Sequence, residues 1–391
     1  MFRRTMLLVA LLCLVATAAL AQTPPYTKTI IVGDTGIPAV NGANLLAAVA
    51  TPVAPGPNNR WLVFVEPGTF DLGGATLLMR DYVDVSGSGR NSTVITSGAA
   101  TTVRAPAGID TELRELTVEN RSQNANVSTG VRIETERFLL TLVNVEIANV
   151  QNAIGVDINA AGQPRLSLVF HRIAGFKTAT GIRIGGRGAV ITDAFVFILA
   201  PGTEQNIGVE VRDTGGSTLD QVSGFVSASA GRNVGIDVVD SAPSVFNNRW
   251  TVDGNNSPVQ TYGLQVRTTP FGARPAELFV RESDFIAQGS TAGAVAAQIE
   301  DQSRVEIQHS NLQSIDTPFG FGIGAAVQVT DSAFVWLKQS VADAGRSVAT
   351  QAATTLRVGA SQLAGARVVL GASTCAQSYD GAFIDIPNGP C

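Results

Sequence analysis

Eight residues of this chain share one position in a recurring pattern: Arg132, Asp157, Arg183, Glu210, Asp237, Gln265, Gln298 and Gln328. Each stands third in a four-residue motif of Gly or Ala, an apolar residue, any residue and a second apolar residue, as in Gly130-Val131-Arg132-Ile133 and Gly235-Ile236-Asp237-Val238. A polar side chain between two inward apolar neighbours on a strand points outward, so stacked motifs would align the eight as an exterior ladder. The first four alternate in sign, and such cross-strand pairs favour correct register by about 0.2–1 kcal/mol each. Glu210 beside Asp237 is a repulsive step, and the glutamines can form an amide ladder. Two uses fit this row: register and solubility, or a polar groove that tracks a glycan. Trp250, after Asn247-Asn248-Arg249, is the best exposed aromatic candidate for a sugar platform.

Other chemistry-bearing residues are sparse. Asp237 and Asp240 could touch a cation, but two carboxylates fall short of the six to eight oxygens that Ca²⁺ takes. His171 and His309 are the only histidines; read as sharing a repeat slot in non-adjacent coils, they are too far apart for one ion and are expected at the surface or a boundary. No cofactor and no metal site is expected. Trp61 and Trp336 lie in apolar runs and are expected in the core.

The elements that would hold the ladder follow from its spacing. The motifs start 25, 26, 27, 27, 28, 33 and 30 residues apart from Gly130 to Ala326, which marks a stacked repeat architecture. Each unit carries a second patch rich in β-branched and aromatic residues, among them Val143 to Ile147, Val169 to Ile173, Ala194 to Ile198, Trp250 to Val252, Phe285-Ile286 and Asn311-Leu312. Period-two alternation between Gly, Ser, Asn and Asp turns argues short strands. Parallel neighbours need a crossover of a dozen or more residues, and no helical pattern interrupts the repeats, so the crossover must be further strand in the same coil. The expected fold is all-β: a right-handed parallel β-helix of roughly ten coils, with inward Val, Ile, Leu and Phe each worth about 1.5–3 kcal/mol when fully buried.

The ends differ from the repeats. Residues 1–21 have the parts of a secretory signal, with Arg3 and Arg4, an apolar run from Met6 to Val15 and Ala19-Leu20-Ala21 before Gln22. Residues 22–60 are expected to form an N-terminal cap in which Asn41 caps a short helix through Leu45, Leu46 and Val49. The β-helix would span 61–370 and a C-terminal cap 371–391. Cys375 and Cys391 remain after signal cleavage and are expected to pair in an oxidising compartment. The chain carries a formal charge of −5, and loss of Arg3 and Arg4 makes it more acidic still. An acidic exported protein is a poor partner for nucleic acid, and it would repel polyanions such as pectate unless Ca²⁺ or a local basic patch intervened.

The segments Val63-Phe64-Val65-Glu66-Pro67-Gly68-Thr69-Phe70, Gly87-Ser88-Gly89-Arg90 and Thr93-Val94-Ile95-Thr96 resemble the opening coils of pectin-lyase-like β-helix proteins, pectinesterases among them. With Thr374-Cys375-Ala376-Gln377-Ser378-Tyr379-Asp380, the chain resembles exported bacterial right-handed β-helix proteins of unassigned activity. The pectinesterase pattern fails where its Glu would stand, since Leu72 occupies that position. Asp284-Phe285-Ile286-Ala287-Gln288-Gly289 resembles a segment of that family, but Asp284 falls in the slot of Glu146, Arg172, Thr251 and Asn311 and reads as an ordinary outward residue. The Gly-His-Gly and Arg-Ile-Lys segments of polygalacturonase-like enzymes are missing. The expected function is an exported structural or binding module, periplasmic, at the cell surface or extracellular, that contacts polysaccharide or the cell envelope. The alternative is a polysaccharide lyase, hydrolase or esterase with an atypical site on the helix face.

Overall fold

The computed structural model describes residues 26–386 except 123–125, 161–162, 168, 200–203, 215, 228–230, 256–257, 270–274, 316–324, 332, 339–340, 351–353, 360, 370–371, 377 and 381–384. Three strands make one coil, and equivalent strands of successive coils pair in parallel. The first sheet runs from Lys28–Val32 and Trp61–Val65 through strands such as Arg165–Ser167, Ser244–Phe246 and Phe334–Lys338. The second holds Gly68–Asp71, Phe195–Leu199, Arg249–Asp253 and Asp284–Gln288. The third carries the motif strands, including Ser128–Ile133, Gln205–Arg212, Arg232–Val239 and Ala294–Ile299. The chain is a parallel β-helix, as its repeat implies, and sequence patterns resolved only two of its three strands.

The motif's second residues stack as Val131, Val156, Ile182, Val209, Ile236, Leu264, Ala297 and Val327 in direct register, all buried. The motif's glycine has its own cause. A Cβ at Gly155, Gly181, Gly208 or Gly235 would lie 2.5–2.6 Å from the carbonyl oxygen of the glycine one coil on. The coils therefore close to strand spacing at this corner because nothing projects there.

Between the first and second strands the chain turns on a single residue in the left-handed region. Glu115, Leu142, Asp193, Gln221, Asn247, Glu282 and His309 hold this place with φ of 48–56°. Side chains with a Cβ rarely adopt that conformation. Coil-to-coil hydrogen bonds hold it, such as Gln221 N to Phe246 O at 3.0 Å and Asn247 N to Arg281 O at 3.1 Å. Asn248 follows the turn fully buried, donating from Nδ2 to Leu219 O and Phe246 O and accepting at Oδ1 from Val222 N.

Helix α1 (Pro38–Ala50) is the only helix among the described residues, and it packs over the first coil. Its start corrects the sequence reading: Pro38 opens the helix after Ile37, and Asn41 lies one turn inside. Asn41 is buried there, accepting from Thr35 N at 2.8 Å and donating to Thr69 O at 3.0 Å. Gly42 allows the close approach, since a Cβ would stand 1.9 Å from Asp71 O. The expected signal (1–21) and Cys391, hence the expected disulfide, lie outside the described residues. No described helix is long and apolar enough to cross a membrane.

The core corrects three assignments. Trp250 is fully buried, because its ring fills the volume left by Gly208 and Gly224 on other strands; the three atoms nearest a Cβ on Gly224 would all be Trp250's, at 2.3–2.8 Å. Trp336 alternates with inward Val335 and Leu337 and faces outward, half-buried; Trp61 is buried as expected. His171 and His309 do not share a slot. His171 aligns with inward Val145 and Val196, whereas His309 occupies the left-handed turn. His171 is buried with neither ring nitrogen hydrogen-bonded, and that burial pulls its pKa down to about 3.

Two outcomes follow. Gly224→Ala overpacks Trp250 and costs about 1–3 kcal/mol, Trp250→Leu opens a cavity, and the double variant loses less than the sum; additive losses in denaturant unfolding would reject the size pairing. An imidazole neutral in the fold but protonated in the unfolded chain keeps its full contribution above about pH 6.5 and loses it as pH falls toward 3. His171→Leu is expected to remove one proton's worth of pH dependence over that window, read as the difference from wild type.

Candidate functional site

The third positions of the motif are in direct register, in the order Arg132, Asp157, Arg183, Glu210, Asp237, Gln265, Gln298, Gln328. Arg104 extends the row by one coil. Part of the row floors a groove of about 650 Å³, with Arg132, Asp157, Arg183, Glu210 and Arg212 among its lining residues. The entries of the motif strands form one wall, through Thr178 and Gln205, and their exits form the other, through Gly186 and Asp213. This groove brings together four of the six candidate binding residues. Asp237 continues the row beyond it, while Trp250 lies in the core and cannot serve as a platform.

The row is layered by charge. Arg183 grips Asp157 through two hydrogen bonds, Nε to Oδ1 at 2.9 Å and Nη2 to Oδ2 at 3.1 Å. Arg212 holds Glu210 at 2.5 Å, and Glu134 takes both Arg104 and Arg132, at 2.8 and 2.9 Å. The side chains of Arg104, Arg132, Arg183 and Arg212 are 49, 44, 40 and 49% exposed, against 18, 11 and 8% for Glu134, Asp157 and Glu210. Carboxylates thus lie beneath and guanidiniums face solvent.

This geometry also removes the repulsion expected between Glu210 and Asp237. Glu210 is drawn to Arg212, whereas Asp237, with a fully buried side chain, is held by Arg232 at 3.0 Å and Arg267 at 3.1 Å. The amide ladder does not form at Gln265, whose Oε1 accepts from Arg232 and whose Nε2 donates to Glu300 Oε1 at 2.8 Å. Burial pushes the Glu300 carboxyl above its ordinary range, and the Gln265 amide offsets part of that. Arg212, Arg232, Arg267 and Glu134 were not singled out in the sequence. The available signal was an opposite charge two residues along the same strand, as in Arg132/Glu134 and Glu210/Arg212.

The remaining candidates are engaged in contacts within the fold. Asp240 accepts from Thr269 N at 2.7 Å and Thr269 Oγ1 at 2.6 Å, so its oxygens and those of Asp237 are engaged. Among the described residues no group of three or more His, Cys, Asp and Glu side chains could hold a metal ion. Asp284 pairs with Arg249 and Asn311. Its slot is therefore two residues from that of Glu146, Arg172 and Thr251, though still outward. Leu72 is a buried core residue.

No protein-family profile matches the chain, and no curated protein resembles it significantly in sequence. Solved structures match in fold. The mannuronan C-5 epimerase AlgE6 A-module of Azotobacter vinelandii superposes with a TM-score of 0.56 at 11% identity, covering 87% of this chain and 95% of that one. DFA-IIIase from Arthrobacter chlorophenolicus A6, in complex with GF2, gives 0.52 at 13% identity over 85% and 94%. The likeness is one of fold, a parallel β-helix.

Asp237→Ala removes the carboxylate that Arg267 and Arg232 share, leaving Arg232 its bond to Gln265, and is expected to cost about 1.5–3 kcal/mol, the usual worth of a hydrogen bond to a charged group. An unchanged unfolding midpoint would show that the pairs of Asp237 with Arg232 and Arg267 add nothing to stability.

Proposed function

We propose that the groove binds a linear, carboxylate-bearing polysaccharide laid along the stacked motif strands. The observation that carries this reading is the layering: half-exposed arginines cover buried carboxylates, so the groove presents hydrogen-bond donors and positive charge on an otherwise acidic chain. Guanidinium groups match carboxylates in a planar two-point geometry, and strands spaced about 4.7–4.9 Å apart repeat that offer along the axis. The row holds as many carboxylates as guanidiniums, so the positive face that would meet a polyanion is its more exposed outer layer of Arg132, Arg183 and Arg212. The carboxylates beneath already hold arginines, which supports recognition rather than acid–base work at these positions. Carbohydrate-active enzymes among the structural neighbours of the same fold make a polysaccharide partner plausible.

Arg132→Gln is the cleanest test, because Glu134 keeps Arg104. Calorimetric titration with oligogalacturonate and alginate oligomers is expected to show binding that weakens with salt and falls severalfold in Arg132→Gln, and further with Arg183→Gln added. Failure of both anionic probes to bind wild type, or equal affinity in a folded variant, would overturn the proposal.

A further inference from the structure

We infer a second carbohydrate site, specific for a neutral pyranose, on the outward face of the first sheet between Phe279 and Trp336. Phe279, Glu306 and Trp336 occupy one outward column on three successive coils. The two aromatic side chains thus stand two strand spacings apart, on the order of 9–10 Å, with a carboxylate between them. Phe334 and Arg304 border the same hollow, which encloses about 380 Å³, the size of a site for one or two sugar rings.

Each group has a use. Glu306 is fixed by Lys338 Nζ and Gln308 Nε2, both at 2.6 Å, so it is a positioned acceptor for sugar hydroxyls. Lys338 lies over the Trp336 ring at 3.5 Å from its centroid and restrains it. The aromatic surfaces suit the C–H faces of a pyranose, apolar surface that water solvates poorly. The charges here cancel in pairs: Lys338 meets Glu306, and exposed Arg304 stands 4.0 Å from Glu277. The groove's charges are paired as well, but there the arginines lie well outside their carboxylates, whereas here Lys338 and Glu306 are 32 and 31% exposed; with neither sign outermost, the hollow suits a neutral ligand. The site lies on a different sheet from the groove and does not depend on what the groove binds.

Trp336 reports on the site directly. Trp61 and Trp250 are buried, leaving Trp336 as the outward tryptophan. Full-length protein titrated with β-1,4-, β-1,3- and α-1,4-linked glucose, mannose and xylose hexamers is expected to show a saturable fluorescence change with at least one probe, matched by calorimetry. Trp336→Ala and Glu306→Gln, each checked by circular dichroism, are expected to weaken that binding at least fivefold, and Arg132→Gln to leave it unchanged. No response to any neutral hexamer, or binding retained in both folded variants, would overturn this site without touching the groove. Loss of anionic binding alone in Arg132→Gln would leave both sites standing as independent.

Discussion

Coil-to-coil register is the constraint on which this molecule rests. Because strand side chains alternate with a period of two, a slip of one residue exchanges interior and exterior. Registry is fixed from several directions. Inward columns bury their apolar members, the motif corner admits nothing larger than the methyl groups of Ala296 and Ala326, and single-residue turns tie coils together through backbone hydrogen bonds. The ladder adds its ion pairs to this scheme, but it is the beneficiary more than the cause: exposed pairs are individually weak, whereas a column of buried Val, Ile and Leu is not.

Charge placement shows how an acidic chain can present a basic surface. Net charge describes the far field, which salt screens within about 10 Å at 0.1 M. At contact range the relevant quantity is which partner of each ion pair lies nearer the solvent. In the groove the shorter Asp and Glu side chains stay 8–18% exposed, while the longer arginine side chains that pair with them are 40–49% exposed. Length alone sorts the two signs into layers.

The fold was legible because one motif is strict. Its small first residue, glycine through Gly263 and then Ala296 and Ala326, its two inward apolar residues and its outward third position recur from Gly130 to Ala326, and the structure stacks them in that order. First-sheet strands were hidden because members such as Arg165–Ser167 are three residues long, with Leu166 the single inward apolar residue. The tryptophans show where one-dimensional reading stops. Trp250 shares parity with Val252, a signal that marked it as inward, yet the reason it fits is the absence of side chains at Gly208 and Gly224 on other strands. Trp336 sits in an unbroken apolar run in which either parity is possible, and only pairing to Val305 and Ile307 decides. His171 shares parity with Ile173, which outweighed its polarity. The arginine partners of the ladder come from neighbouring coils as often as from the same strand, so spacing along the chain could not group them.

Helix α1 gives the molecule a fixed origin. With Gly42 pressed against the first coil, that end is sealed by close packing, so growth by duplication of coils has room only downstream of it. A whole coil copied into the middle of the stack would restore every column one storey higher and lengthen the groove by a single strand spacing, whereas a shorter insertion would have to bulge out as a loop. Variation in reach, from one descendant of such a chain to another, is therefore expected to come in quanta.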